Sequence, residues 1–328
     1  MITSNPKSQL PEVKPSVITW LLDSDPAIRW QVMRDLTNEP AERVASERAR
    51  LETEGWAAEL LQRQNEDGTW GDDEGEPFKR WDSTLHTMLL LQDMGLDPAS
   101  QRVSKAVDLL NKNFTWGPHW GNPTFFEGEV EPCINGGALE LGAYFGHPNQ
   151  ALLKRLLGEQ MADGGWNCEQ ENGSVRSSFH TTICVLEGLL EYEKANGTNS
   201  AITAARRKGE EYLLERHLFR SLSTGRPIAL DKKTELPAKW TQFSFPNTWH
   251  YDVLRGLEYF RSTGATPDQR LAEAIDIVAS KQDAGGRWLL ENPHQDPVGL
   301  ELEDGEDKPS RWNTLRALRV LDWYSTGS

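Results

Sequence analysis

The pattern Gln-x-x-x-Gly-x-Trp occurs three times without a mismatch, at Gln64/Gly68/Trp70, Gln160/Gly164/Trp166 and Gln282/Gly286/Trp288. Recurrence of this kind signals a repeat architecture, in which each unit buries its apolar face only against its neighbours. A degenerate copy at Phe114/Pro118/Trp120 keeps the Trp alone. The residue types suit a staple between antiparallel helices: Gly permits the backbone turn, the Trp ring wedges across it, and the Gln amide reaches backbone at the next helix end. Trp70, Trp120, Trp166 and Trp288 are therefore read as structural.

Apolar residues at helical spacing flank the loops, as in Leu152, Leu153, Leu156 and Leu157, or Leu271, Ala274, Ile277 and Val278. A second helix is predicted after each loop: Trp81 to Met94, Cys133 to Phe145, Phe179 to Tyr192, Trp249 to Phe260 and Trp312 to Tyr324. Pro15 and Pro26 suit the first turns of one more hairpin. Six hairpins can close into a ring with the loop-following helices inside. The expected fold is all-α, an α/α toroid over residues 15–328 behind a tail at 1–14. Insertions at 220–246 and 291–309 read as rim loops, and Asp72-Asp73-Glu74-Gly75-Glu76 as a solvated acidic turn.

The formal charge of −15 argues against nucleic acid, which is gripped by clustered Lys and Arg. No apolar run approaches the roughly 18 residues of a membrane span, and the first residues lack a signal-peptide pattern; a cytoplasmic protein is expected. Three cysteines, Cys133, Cys168 and Cys184, are too few for a disulfide framework. Cys168, beside a Trp loop, and Cys184, on an apolar helix face, are read as structural.

Aligned by their leading residues, the inner helices put Trp81-Asp82, Pro132-Cys133, Phe179-His180, Trp249-His250 and Trp312-Asn313 at one place. In a closed ring, Asp82, Cys133, His180, His250 and Glu131 would then meet at one level of a central cavity. Thiolate, imidazole and carboxylate are zinc ligands, so Zn²⁺ is expected at Cys133, His180 and His250 with Asp82 or Glu131. The bland alternatives are a small core cysteine and satisfied helix-start histidines. A metal-free Cys133 nucleophile activated by His180 is a further variant.

The repeats resemble the QW motifs of squalene-hopene and oxidosqualene cyclases, and the hairpin plan is similar to the protein prenyltransferase β subunit. Glu131-Pro132-Cys133 and Phe179-His180-Thr181-Thr182 look like that subunit's zinc-holding Asp-x-Cys and Tyr-His elements. The sequence has no Asp-x-Asp-Asp, the acid motif of the cyclases; Asp23-Ser24-Asp25 looks like a helix cap. Where the prenyltransferases carry basic residues for diphosphate, it reads Phe125-Phe126-Glu127-Gly128-Glu129, which repels that anion. The resemblance implies an enzyme with an aromatic central cavity acting on a hydrophobic or isoprenoid-like small molecule, with zinc and with Asp82 and Glu131 as catalytic carboxylates. The alternatives are a metal-free terpenoid cyclase with Asp82 as proton donor and a non-catalytic ligand- or protein-binding ring.

Overall fold

In the computed structural model the described residues are 13–71, 77–117, 121–129, 131–228, 239–294 and 299–327, and the side chains of residues 77–82 lie outside them. They form α1 (Pro15–Leu22), α2 (Pro26–Asp35), α3 (Ala41–Ala49), α4 (Gly55–Gln62), α5 (Pro77–Met94), α6 (Gln101–Asn113) and α7 (Pro132–Tyr144). There follow α8 (Gln150–Gly158), α9 (Phe179–Asn196), α10 (Ser200–Leu214), α11 (Val253–Ser262), α12 (Ala272–Ser280) and α13 (Arg311–Thr326). A short antiparallel pair, β1 (Trp288–Leu289) and β2 (Pro309–Ser310), precedes α13.

Burial sorts the helices into two kinds. α6 buries Val103, Ala106, Val107 and Leu110, an i, i+3, i+4, i+7 stripe, and is therefore covered on one side. α7 and α9 bury residues at nearly every position, so both lie between other elements. The inner helices follow one another: α5 packs on α7, α7 on α9, α9 on α11, and α11 on α13. α13 then packs on α2, and α2 reaches α5 through Trp30 Nε1 to the Met94 carbonyl at 2.7 Å and Gln31 Nε2 to the Asp93 carbonyl at 3.0 Å. The ring closes. Arg319 Nη1 donates to Gln31 Oε1 at 2.6 Å and Lys14 Nζ to the Ala284 carbonyl at 2.6 Å, joining the last hairpin to the first.

The expected hairpins are α1/α2, α4/α5, α6/α7, α8/α9, α10/α11 and α12/α13. α3 is an addition that the pattern did not reveal, because it buries no residue and so carries no apolar stripe. α11 begins at Val253 rather than at Trp249 because Asp252 caps it: Oδ1 accepts the Arg255 amide at 2.8 Å, while Oδ2 accepts the Ser244 amide at 3.0 Å. His250 consequently sits in the turn ahead of the helix. No helix among the described residues is long and apolar enough to cross a membrane.

The three Gln-x-x-x-Gly-x-Trp copies share one set of bonds. Trp70, Trp166 and Trp288 each donate from Nε1 to a carbonyl ten residues earlier, Leu60, Leu156 and Val278, at 2.7 Å. Their amides donate to the hydroxyls of Thr84, Thr182 and Thr314 on the following inner helices at 3.0, 3.1 and 3.0 Å. Gln64 and Gln160 reach onward to Ala106 and Ala205 on the next outer helices at 3.1 and 2.8 Å. Gly164 stands at φ +98°, and a Cβ there would be 2.6 Å from the Lys208 carbonyl, so only glycine fits. Trp120 and Asp72–Glu76 lie outside the described residues.

Candidate functional site

The Gly164–Trp166 staple delivers Cys168 to the head of α9. Cys168 lies in a 3-10 turn capped by Asn167, whose Oδ1 accepts the Glu169 amide at 2.9 Å. Its own amide and its Sγ both lie 3.3 Å from Thr181 Oγ1. From the neighbouring repeat, Asn135 braces the approach to α7: its Oδ1 accepts the Glu129 amide at 2.8 Å, and its Nδ2 donates to the Glu129 carbonyl at 3.1 Å. Glu131 then stands at the head of α7 with Oε2 3.6 Å from Cys133 Sγ. Cys133 and Cys168 share a hydrogen bond between sulfurs 2.8 Å apart. The ligand atoms of Glu131, Cys133 and Cys168 all fall within 4.8 Å of one another.

The shared bond divides the two thiols. It pushes the Cys133 thiol well above its usual range, with burial adding to the effect, and it holds the Cys168 thiol lower despite burial. This donor set can be tested against zinc. Bonds of about 2.3 Å to sulfur and about 2.0 Å to oxygen put two donors on one tetrahedral ion roughly 3.5 to 3.8 Å apart. Glu131 Oε2 and Cys133 Sγ already stand so; the sulfurs need to part by about 1 Å. Two thiolates and a carboxylate fit zinc better than calcium or magnesium, which take oxygen alone. Cys168, read from sequence as structural, is thus a member of the cluster.

The imidazoles form a separate group. His180, the second residue of α9, accepts the Tyr251 amide at Nδ1 at 2.8 Å. In the neutral ring that bond leaves the proton on Nε2, which then donates and does not ligate. His250 lies 6.0 Å from His180 between ring centroids, stacks on His294 at 3.6 Å, and meets Thr248 Oγ1 at Nδ1 at 2.9 Å. Burial, with His294 and His180 adding to it, lowers the His250 pKa to about 2; burial lowers that of His294 to about 4. Both rings are neutral at physiological pH. The expected single level therefore holds His180 and His250 together, while Cys133 pairs with Glu131 and Cys168. The Asp82 side chain lies outside the described residues.

Inside the ring are two adjoining chambers. The upper, of about 200 Å³, is lined mainly by apolar groups including Leu85, Leu89, Ile134 and Trp249, with Glu131 and Cys133 in its wall. The lower, of about 140 Å³, shares Leu89, Glu140 and Arg255 with the upper and is highly charged. Each is smaller than the roughly 300 Å³ at which drug-sized pockets begin, and the two adjoin. Arg255 grips Glu187 at 2.6 and 3.0 Å, and Arg319 pairs with Glu258 at 2.6 Å. Gln92 Nε2 donates to Glu140 Oε1 at 2.8 Å. Burial, then the charges of Glu187 and Asp93, raises the pKa of Glu140, at the junction of the chambers, well above the carboxylate range, against the opposing pull of Arg255. Asp93 keeps accessible surface that opens into the lower chamber, yet burial still raises its pKa to about 6.

The expectation of a cavity with a carboxylate had looked to Asp82 and Glu131 and passed over this charged belt. A signal was present: Val185-Leu186-Glu187-Gly188 and Val253-Leu254-Arg255-Gly256 put a charge in the same apolar frame of two inner helices.

No family model matches the chain. A curated protein, enfumafungin synthase efuA of Hormonema carpetanum, is 24% identical over 141 residues, which is 40% of this chain but 11% of that protein. Among solved structures, the chain is similar to type II terpene cyclase MstE from Scytonema, at 17% identity and a TM-score of 0.44, covering 89% of this chain and 85% of that one. It is also similar to a polysaccharide lyase, at 14% identity and a TM-score of 0.49 over 93% and 94% of the chains. A family 88 glycosyl hydrolase from Bacteroides vulgatus is 11% identical with a TM-score of 0.46 over 93% and 96%. Proteins named for such different reactions do not select a chemistry for this one.

Proposed function

We propose that this protein is a zinc-dependent enzyme acting on a small hydrophobic or isoprenoid-like molecule held in the upper chamber. The observation that carries the reading is the convergence of Glu131, Cys133 and Cys168, the first two of which line the chamber. The three residues come from the head of α7, braced by Asn135, and the turn before α9, held by the Trp166 staple; such preorganisation is what a metal site needs. Zinc bound by these residues would supply Lewis acidity beside an apolar pocket. The chain's own part is to hold both thiols and the carboxylate in place, to keep the pocket dry with Leu85, Leu89, Ile134 and Trp249, and to present Glu140, its pKa raised by burial, at the pocket's lower end.

Metal analysis of untagged protein purified without chelators tests the reading, with about one zinc per chain expected; less than about a tenth of an equivalent removes it. Cobalt substitution separates catalysis from mere structure. Azide should change the visible spectrum of the cobalt protein if a ligand position is open, and an unchanged spectrum means a closed structural site.

A second reading, proton-initiated cyclisation without metal, is favoured by one feature: Glu140 lines both chambers, and its pKa is raised. It takes the role first expected of Asp82. Product extraction after incubation with short polyprenols, comparing the native chain with Glu140→Gln, tests it; equal product from both excludes Glu140 as the acid.

A further inference from the structure

Arg316 lines the lower chamber, is 6% exposed, and among the described residues has no carboxylate within 4.0 Å. Its hydrogen bonds run from Nη1 alone, to the Ser244 carbonyl at 3.0 Å and to Asn313 Oδ1 at 3.3 Å. The two other arginines of the chamber are each matched to a carboxylate, Arg255 to Glu187 and Arg319 to Glu258. A guanidinium buried to this extent is costly to leave without a counter-charge, and its fork is shaped to take a carboxylate through two parallel bonds. Facing the same chamber is one carboxylate in the converse condition. Among the described residues, Asp93 has no hydrogen bond or ion pair to its side chain, although Arg316 is near enough to act on it electrostatically.

We propose that the lower chamber binds a small zwitterion of the amino-acid type, with its carboxylate on Arg316 and its ammonium group on Asp93. A ligand carrying both charges satisfies both groups and brings no net charge into the interior. An anion alone would crowd Asp93, and a cation alone would leave Arg316 unmatched. Glu140 and Leu89 border both chambers, so the ligand's side chain has a path upward to the apolar pocket. The proposal extends the reading of the cavity as a substrate site, but it does not need zinc.

The test uses the full chain, both chelator-dialysed and zinc-loaded, so that failure of metal binding and failure of zwitterion binding are seen separately. The twenty protein amino acids are screened by thermal shift. The best is then measured by calorimetry beside its decarboxylated amine and its deaminated acid. The zwitterion should bind at least about tenfold tighter than either half, because each half leaves one charge of the chamber unmatched. Arg316→Gln should weaken the zwitterion by about 30-fold or more and bring it level with the amine; Asp93→Asn should bring it level with the acid. Arg316→Lys, which keeps the charge, should fall between the native chain and Arg316→Gln, and melting curves verify that each variant is folded. No thermal shift with any of the twenty, or halves that bind the native chain as tightly as the zwitterion, overturns the proposal. The comparison of halves needs only native protein, so poor folding of a variant does not protect it.

Discussion

Gly188 of α9 lies directly against the Gly136 carbonyl of α7, and a Cβ on Gly136 would in turn stand 2.5 Å from the Cys184 carbonyl. The two inner helices touch backbone to backbone here, which is what brings the head of α7, with Cys133, beside the turn that carries Cys168. Gly188→Ala must push the helices apart. A loss of about 1 to 3 kcal/mol is expected in urea unfolding, together with weaker metal retention than the native chain. An alanine variant of native stability would show that the two backbones are not in contact at this point.

Cys133→Ser and Cys168→Ser should each lower zinc content severalfold, whereas Cys184→Ser should leave it unchanged. Cys184 is buried, and burial raises its pKa to about 12, so it should also resist iodoacetamide at pH 8 in the folded chain. Mass spectrometry of the alkylated protein reads the second point and metal analysis the first.

His180→Ala separates the imidazole from the metal site. Losing the acceptor for the Tyr251 amide should cost about 1 to 3 kcal/mol, the usual effect of stranding a buried donor. Zinc should remain near the native level. If zinc leaves with the ring while the fold survives, His180 is a ligand after all and the Nε2 tautomer has been assigned wrongly.

Glu140 fixes the sign of a pH effect. Its folded pKa is raised, so the stability it contributes is fully present below the unfolded value near 4.5 and is lost as pH rises toward the folded value. Glu140→Gln removes that loss. The variant should match the native chain near pH 4 and gain on it as pH increases, by at most about 1.4 kcal/mol per pH unit. Urea unfolding at several pH values measures the gap, and a gap that narrows with pH contradicts a raised Glu140 pKa.

The ring was legible because its staple repeats in sequence; each Trp, Gly and Gln could be counted before its bonds were seen. The candidate site was half legible. Cys133 was visible from its place at an inner-helix head, and Glu131 from the resemblance of Glu131-Pro132-Cys133 to an Asp-x-Cys element. Cys168 was not, since it belongs to an irregular turn whose position depends on where the Trp166 loop meets α9. His250 was displaced by the Asp252 cap, a contest between two adjacent turn residues that apolar periodicity does not register. Arg316 and Asp93 went unnoticed for another reason: a charged residue on an amphipathic helix normally faces water, and only ring closure reveals that these helices have no such side.

That closure also changes what it means to be the end of the array. In an open stack of hairpins the terminal units have one neighbour and fray first. Here α13 lies on α2, with Arg319 bonded to Gln31, so every hairpin has a neighbour on each flank. Opening the chain in an exposed turn, for instance at Thr224–Arg226 between α10 and α11, would leave all six interfaces intact. Sequence order and mechanical order are thus decoupled: native-like unfolding should begin wherever one interface is weakest, and circularly permuted chains cut at the rim should melt in a single transition like the parent.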